Sequence, residues 1–220
     1  HTRYVIVTGV QTCALPILTA TDVDAGATQT WSLQGTPSAT YGTMALDAKT
    51  GIWTYTLDNS LAATQALKEG DSVKQTYTAR VTDDFGAYVD QTVTVTVTGT
   101  NDVPVATSTT ALIGGVTEAG HLDNGTVVAG SASATGTLTA TDVDAGATQT
   151  WSLQGEQSAT YGTMALDAQT GIWTYTLDNS LAATQALKEG ESVEQTYTAR
   201  VTDDFGAYVD QTVTVAVTGT

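Results

Sequence analysis

Apolar and polar residues alternate with a period of two along much of the chain. In residues 91–98 the valines 93, 95 and 97 fall on one face and the threonines on the other, the arrangement of a strand with one buried face. The same alternation turns Trp31 and Leu33 inward, then Met44 and Leu46, then Trp53, Tyr55 and Leu57, then Tyr77, Ala79 and Val81. Turn-forming triplets and pairs separate these runs: Asp24-Ala25-Gly26, Gln34-Gly35, Lys49-Thr50-Gly51 and Asp84-Phe85-Gly86. Short strands punctuated in this way predict an antiparallel β-sandwich of immunoglobulin-like type. One stretch departs from the period. Between Asn59 and Gly70, Leu61, Ala62, Ala66 and Leu67 recur at helical spacing behind an Asn/Ser cap and ahead of a closing glycine. They predict a short helix across one end of the sandwich.

The pattern occurs twice. Leu18–Thr100 aligns without a gap on Leu138–Thr220 at an offset of 120 residues. Only six of the 83 positions differ: Thr36/Glu156, Pro37/Gln157, Lys49/Gln169, Asp71/Glu191, Lys74/Glu194 and Thr96/Ala216. Such near-identity marks a tandem repeat, with residues 18–100 as a first module and 101–220 as a second. Asn101-Asp102-Val103-Pro104-Val105 reads as the boundary. Pro104 lacks an N–H for a ladder and so suits the start of an edge strand.

Residues 1–17 do not resemble the Asn101–Thr137 segment that leads into the second copy. The run from Val7 to Ile17 resembles the conceptual translation of a sequencing adapter, and residues 1–17 are read as an artefactual leader. On that reading the first module lacks its native N-terminal strand. The alternative is a genuine but divergent first strand, since residues 4–8 are strand-like in composition.

Cys13 is the sole cysteine and falls in that leader, so the repeats can form no disulfide and no thiolate metal site. The chain carries 23 acidic against 7 basic residues, a net charge of −16. A phosphate backbone would be repelled, which excludes nucleic acid as a natural partner. No apolar run approaches the roughly 20 residues of a membrane-spanning helix. The apolar share of 41%, with four Trp and nine Tyr, predicts folded modules despite the acidity.

The acidic residues that bear on chemistry gather at the predicted module ends: Glu118, Asp142 and Asp144, Asp83 and Asp84, and the linker residues Asn101 and Asp102. Hard oxygen donors in such loops suit calcium, which takes six to eight oxygens in loose geometry. Asp142-Val143-Asp144 is not an EF-hand, because Gly146 stands at the fifth loop position and Leu153 at the twelfth. Asp and Asn also favour turns for purely local reasons, and that reading stands beside metal binding.

The module resembles the VCBS repeat, a bacterial cadherin-like family of giant adhesins. The likeness is carried by Thr-Leu-Thr-Ala-Thr-Asp-Val-Asp, Tyr-Gly-Thr-Met, Thr-Gly-Ile-Trp-Thr-Tyr-Thr-Leu-Asp, Tyr-Thr-Ala-Arg-Val-Thr-Asp-Asp-Phe-Gly and Val-Thr-Gly-Thr-Asn-Asp-Val-Pro-Val. It covers residues 18–220. Cadherins resemble it more distantly, and their calcium roles would fall on Asp83, Asn101, Asp102, Glu118, Asp142 and Asp144. The linker motif is shorter than theirs and no Asp-Arg-Glu segment is present; Glu69 is the nearest candidate for it. The resemblance implies an all-β chain of tandem immunoglobulin/cadherin-like antiparallel β-sandwiches with one short helix per module. It implies an extender or adhesive repeat of a secreted or surface-attached bacterial protein, stiffened by calcium at module joints. Its partners would be neighbouring repeats of the same chain and cell-surface or matrix glycans or proteins, in a setting such as a biofilm.

Two other functions are weighed. Catalysis is not expected: His121 sits in a polar loop without a repeated partner, and the carboxylate pairs lie in short turns with no insertion to build a cleft. A carbohydrate-binding module is the stronger rival. Of its aromatic residues, Trp31, Trp53 and Tyr55 take inward positions, while Tyr41 and Tyr88 are open. A flat, exposed pair of those two rings would favour sugar binding.

Overall fold

The computed structural model describes residues 5–7, 16–24 and 26–220, with side chains described from Pro16 onward. The chain divides into two compact units, His1–Asp102 and Val103–Thr220. This division falls two residues after the boundary read from the repeat. The reading of residues 1–17 as a foreign leader lies mostly outside the described residues, as does Cys13.

In the first unit the elements are β1 (Val5–Val7), β2 (Gln29–Gln34), β3 (Gly42–Leu46), β4 (Trp53–Leu57), α1 (Ala62–Gln65), β5 (Ser72–Asp83) and β6 (Tyr88–Thr98). One sheet has the order β1-β6-β5-β2, and β3 pairs with β4 in a second. All of its pairings are antiparallel. The inward positions read from the alternation meet between the sheets: Trp31, Met44, Trp53, Tyr77, Ala79, Val93 and Val95 are buried together with Leu18.

The second unit repeats this plan and adds strands from its leading segment. Its elements are β7 (Val105–Ala106), β8 (Ile113–Thr117), β9 (Gly120–His121), β10 (Val127–Val128), β11 (Ser133–Thr137), β12 (Ala140–Thr141), β13 (Gln149–Gln154), β14 (Gly162–Leu166), β15 (Ile172–Leu177), α2 (Ala182–Gln185), β16 (Ser192–Asp203) and β17 (Tyr208–Thr218). The larger sheet runs β13-β16-β17-β8, with β8 parallel to β17. Facing it is β11-β15-β14, and two short ladders join β7 to β12 and β9 to β10. Both units are therefore sandwiches whose cores lie between open sheets, in accord with the sequence.

Identical side chains are buried more deeply in the second unit. Tyr175 is fully buried whereas its counterpart Tyr55 is only half-buried, and Val201 is fully buried where Val81 is half-buried. The added strands explain part of this. A Cβ on Gly114 or on Gly136 would lie 2.7 Å from the Trp173 ring, so two glycines of the leading segment let its strands close directly over the indole. The Trp173 indole N–H in turn donates to the Ala111 carbonyl at 2.8 Å.

The helix is shorter than the sequence predicts. It is a single turn in each unit, begun by Leu61 or Leu181 in an extended conformation with no side-chain cap. The residues before it are engaged otherwise: Asp58 Oδ1 accepts the Ser60 N–H at 2.8 Å and its hydroxyl at 2.6 Å, while the Gln65 amide donates to the Asn59 carbonyl at 2.8 Å. These local bonds compete with capping and hold the segment as a turn.

The turn glycines behave as read. Gly51 and Gly171 each adopt φ of +68°, a conformation that other residues rarely tolerate. A Cβ on Gly51 would also stand 2.5 Å from the Leu18 carbonyl.

Candidate functional site

Each sandwich has two ends, and strand direction decides which carboxylates gather at each. In the second unit, β16 ends and β17 begins at the leading pole, where Asp203 stands opposite Gln149, the first residue of β13. Asp203 Oδ1 accepts the backbone N–H groups of Phe205 and Ala207, both at 2.9 Å, and so closes the β16–β17 turn. Asp204 Oδ1 accepts the Thr148 N–H at 3.2 Å, tying that turn to the loop that follows β12. In the loop itself, Asp142 Oδ1 accepts the Asp144 N–H at 3.0 Å and the Ala147 N–H donates to the Asp144 carbonyl at 3.2 Å. Asp144 and Asp203 are buried, at 5% and 7% exposure. One further oxygen of each loop carboxylate, Asp142 Oδ2 and Asp144 Oδ1, is also withdrawn from solvent.

Glu118 lies at the other end. Because β8 runs parallel to β17, both finish at the trailing pole, and the Glu118 N–H donates to the Thr218 carbonyl at 2.9 Å. Glu118 as a whole residue is 4% exposed. Oε1 accepts the Gln185 amide at 2.8 Å and Oε2 accepts the Thr220 N–H at 3.4 Å. The eleven residues of β17 separate the two poles, a span of roughly 35 Å at about 3.3 Å per residue. Glu118 is therefore not brought together with Asp142 and Asp144.

The first unit shows the same division. Asp83 closes the β5–β6 turn at the leading pole by accepting from Phe85 at 2.9 Å and Ala87 at 2.8 Å, and it lines one cleft with Asp22. Asn101 and Asp102 follow β6 at the trailing pole, where the Gly99 N–H donates to the Asp71 carbonyl at 3.0 Å. The turn that ends at Asp71 carries Glu69, so Glu69 rather than Asp83 shares a pole with Asn101 and Asp102. Asp102 is 7% exposed and Glu69 is exposed.

Sequence reading missed Asp203. It is the 120-residue counterpart of Asp83, and applying the repeat offset to every candidate would have found it.

The two loops at the leading pole of the second unit supply hard oxygen donors and no cation among their own residues, since 142–148 and 203–207 include no Lys or Arg, while Arg200 beside them pairs with Asp210 and lies over the Tyr208 ring. That chemistry fits a hard divalent ion better than an anion. Among the described residues, however, no group of three or more His, Cys, Asp or Glu side chains is arranged to hold a metal. An ion here would have to recruit carbonyls, water or further side chains to complete its shell.

The aromatic residues left open by the sequence do not form a platform. Tyr41 is half-buried at the start of β3, and its carbonyl accepts the Asp58 N–H at 2.9 Å near the helix end of the unit. Tyr88 is 57% exposed but stands opposite Thr82 at the other end of the β5–β6 hairpin. Its ring is covered by the Arg80 guanidinium at 3.6 Å from the centroid. Arg80 also pairs with Asp90 at 2.6 Å, and this bond holds the Asp90 carboxyl below the usual carboxylate range. The second unit reproduces the arrangement with Arg200, Asp210 and Tyr208.

Comparison with known proteins adds a family. The family described as bacterial cadherin-like domain matches residues 3–99 and again 101–219. Among solved structures, human CDH23 EC21-23 is similar at 16% identity and a TM-score of 0.49, over 96% of this chain and 69% of that one. PcdhgB3 EC1-4 is similar at 18% identity and a TM-score of 0.46, over 87% of this chain and 41% of that one. No curated protein matches the chain.

Proposed function

The chain belongs to the bacterial cadherin-like domain family, and from that premise we propose that its two modules serve as an extender in a large bacterial adhesin, outside the cell or at its surface. The module is of adhesion type and is not an enzyme. The observation that carries the proposal is duplication with separate cores: each near-identical copy folds around its own buried cluster, as a repeat must if an array is to be lengthened by adding copies. Neighbouring repeats of the same chain are its first partners, with cell-surface or matrix glycans or proteins as further ones. No observation favours the carbohydrate-binding alternative, since Tyr41 and Tyr88 occupy opposite ends of their unit.

Calcium is the ion proposed for the module ends. Asp142 and Asp144 would hold it at the leading end of the second unit, and Asn101 and Asp102 would hold it at the trailing end of the first. Glu118, at the trailing pole, would serve the ion at the following end, and Glu69 would play the corresponding part in the first unit. The ion would supply positive charge where carboxylates otherwise repel one another.

Scattering and calorimetry test both parts. The chain is expected to show the dimensions of two modules set end to end, and a compact particle would sink the extender reading. Millimolar calcium is expected to raise the melting temperature, reversibly with chelator. Identical melting with and without chelator would remove the ion and leave the extender intact.

A further inference from the structure

The chain holds four asparagines, Asn59, Asn101, Asn124 and Asn179, and the fold treats them differently. Asn59 and Asn179 each precede a serine whose N–H is donated to a carboxylate, Ser60 to Asp58 and Ser180 to Asp178, both at 2.8 Å. A charge-assisted bond of that kind holds its proton firmly. The Asn179 side chain is held as well: Oδ1 accepts the Ala119 N–H at 3.0 Å and Nδ2 donates to the Ala119 carbonyl at 3.1 Å. Asn101 is half-buried and is followed by the buried Asp102. Asn124 stands apart. It is exposed at the tip of the hairpin between the short strands β9 and β10, and the next residue is Gly125 at a φ of +84°. Its Oδ1 accepts the Thr126 N–H at 2.9 Å, while the Gly125 N–H goes to the neutral Leu122 carbonyl at 2.8 Å.

We propose that Asn124-Gly125 is a self-modifying site, at which the side-chain amide is exchanged for a carboxylate with water as the only co-reactant. The bond from Thr126 folds the Asn124 side chain back along its own backbone, toward the Gly125 nitrogen. It also places a donor on the oxygen where negative charge develops during attack. Gly125 carries no Cβ to shield its nitrogen, and a short, exposed hairpin opens locally and releases that N–H from Leu122. The Gly125 nitrogen gives its proton to solvent base and bonds to Asn124 Cγ; the tetrahedral carbon then expels Nδ2, which leaves as ammonia. Water opens the resulting succinimide at either carbonyl, giving aspartate or, with the backbone rerouted through the side chain, isoaspartate. Either product adds a negative charge one residue from Asp123, whose N–H is donated to Glu189 at 2.7 Å. Isoaspartate also lengthens the turn that the bond from the Leu122 N–H to the Thr126 carbonyl closes. The hairpin thus carries a slow, one-way change of charge and shape.

The test is peptide mapping of the full chain by mass spectrometry during storage at mildly alkaline pH, with isoaspartate read separately. The amide-to-acid mass change is expected at Asn124 ahead of the other three asparagines, faster as pH rises and with isoaspartate among the products. Gly125→Ala is expected to slow it by about tenfold or more. A Cβ there would meet nothing within 4 Å, and the same slowing in urea separates shielding of the nitrogen from strain at positive φ. In urea Asp58 and Asp178 release the serine N–H groups, so the lead of Asn124 over Asn59 and Asn179 is expected to narrow. The proposal is overturned if another asparagine of the folded chain converts first, or if Asn124 stays intact when a free peptide of residues 121–127 has converted. Indifference to Gly125→Ala, or the same ratio of rates with and without urea, overturns it equally.

Discussion

The indole N–H of Trp173 donates to the carbonyl of Ala111 at 2.8 Å, across 62 residues of sequence. The bond joins the facing sheet of the second unit to the segment that leads into β8. Truncating this side chain removes the bond and leaves a void beneath Gly114 and Gly136. Trp173→Ala is expected to cost about 3–5 kcal/mol, read as a fall in one of two denaturant transitions while the other stays in place.

The units are expected to melt separately, the first below the second. The same residues leave more apolar surface in water in the first unit: Tyr55, Leu57 and Val81 are half-buried where Tyr175, Leu177 and Val201 are buried. A gap of at least about 5 °C follows from even a 1 kcal/mol difference in modules of this size. Calorimetry showing one coincident transition for both, with Trp173→Ala shifting the whole of it, would contradict this.

Much of this fold is legible in the sequence alone. Period-two alternation found Trp31, Met44, Trp53, Tyr77 and Val93 as core because a strand with one wet face admits no other register. The repeat offset found the second sandwich at once. The helix was overextended, since Leu61, Ala62, Ala66 and Leu67 fit helical spacing while Asp58 and Ser60 bind one another locally. The carboxylate set was the least legible part. Sequence order suggested that Glu118 and Asp142 share an end, but the parallel pairing of β8 with β17 sends Glu118 to the trailing pole. Such a long-range pairing leaves no local trace in the chain.

Alkaline pH is expected to unfold both units late and cooperatively. Burial, and then the neighbouring Tyr77, pushes the Tyr55 phenol up to about 12, and burial with Tyr197 raises Tyr175 further. A folded-state value above the ordinary phenol near 10 favours the protonated native form. That stabilising contribution is whole below about pH 10 and is lost as pH climbs through the folded-state values. Phenolate absorbance of Tyr55 and Tyr175 is expected to lag and then rise together with loss of the β-sheet circular dichroism. Replacement by Phe at both positions is expected to remove the lagging fraction; a profile unchanged by it would refute the assignment.

Acid acts in the opposite sense. Arg80 holds Asp90 low and Arg200 holds Asp210 low, and the Thr50 and Thr170 backbone N–H groups do the same for Asp47 and Asp167. Depressed values mean that stability is present above the unfolded carboxylate range and is lost as pH falls through the folded-state values. Melting temperature is therefore expected to decline only below about pH 4, with a shallower decline in a chain carrying Asp90→Asn and Asp210→Asn. A melting temperature that goes on rising to pH 2 would show that relief of the −16 net charge outweighs these bonds.

The parallel ladder of β8 on β17 has a mechanical meaning. A pull applied between Val103 and Thr220 loads the second unit from both ends of its chain. Once the two-residue β7 gives way, the load reaches Ile113–Thr117 and Thr214–Thr218, five rungs that lie across the line of pull. Those rungs are strained together in shear instead of being unzipped one after another, so the second unit is expected to withstand more force than a sheet opened rung by rung.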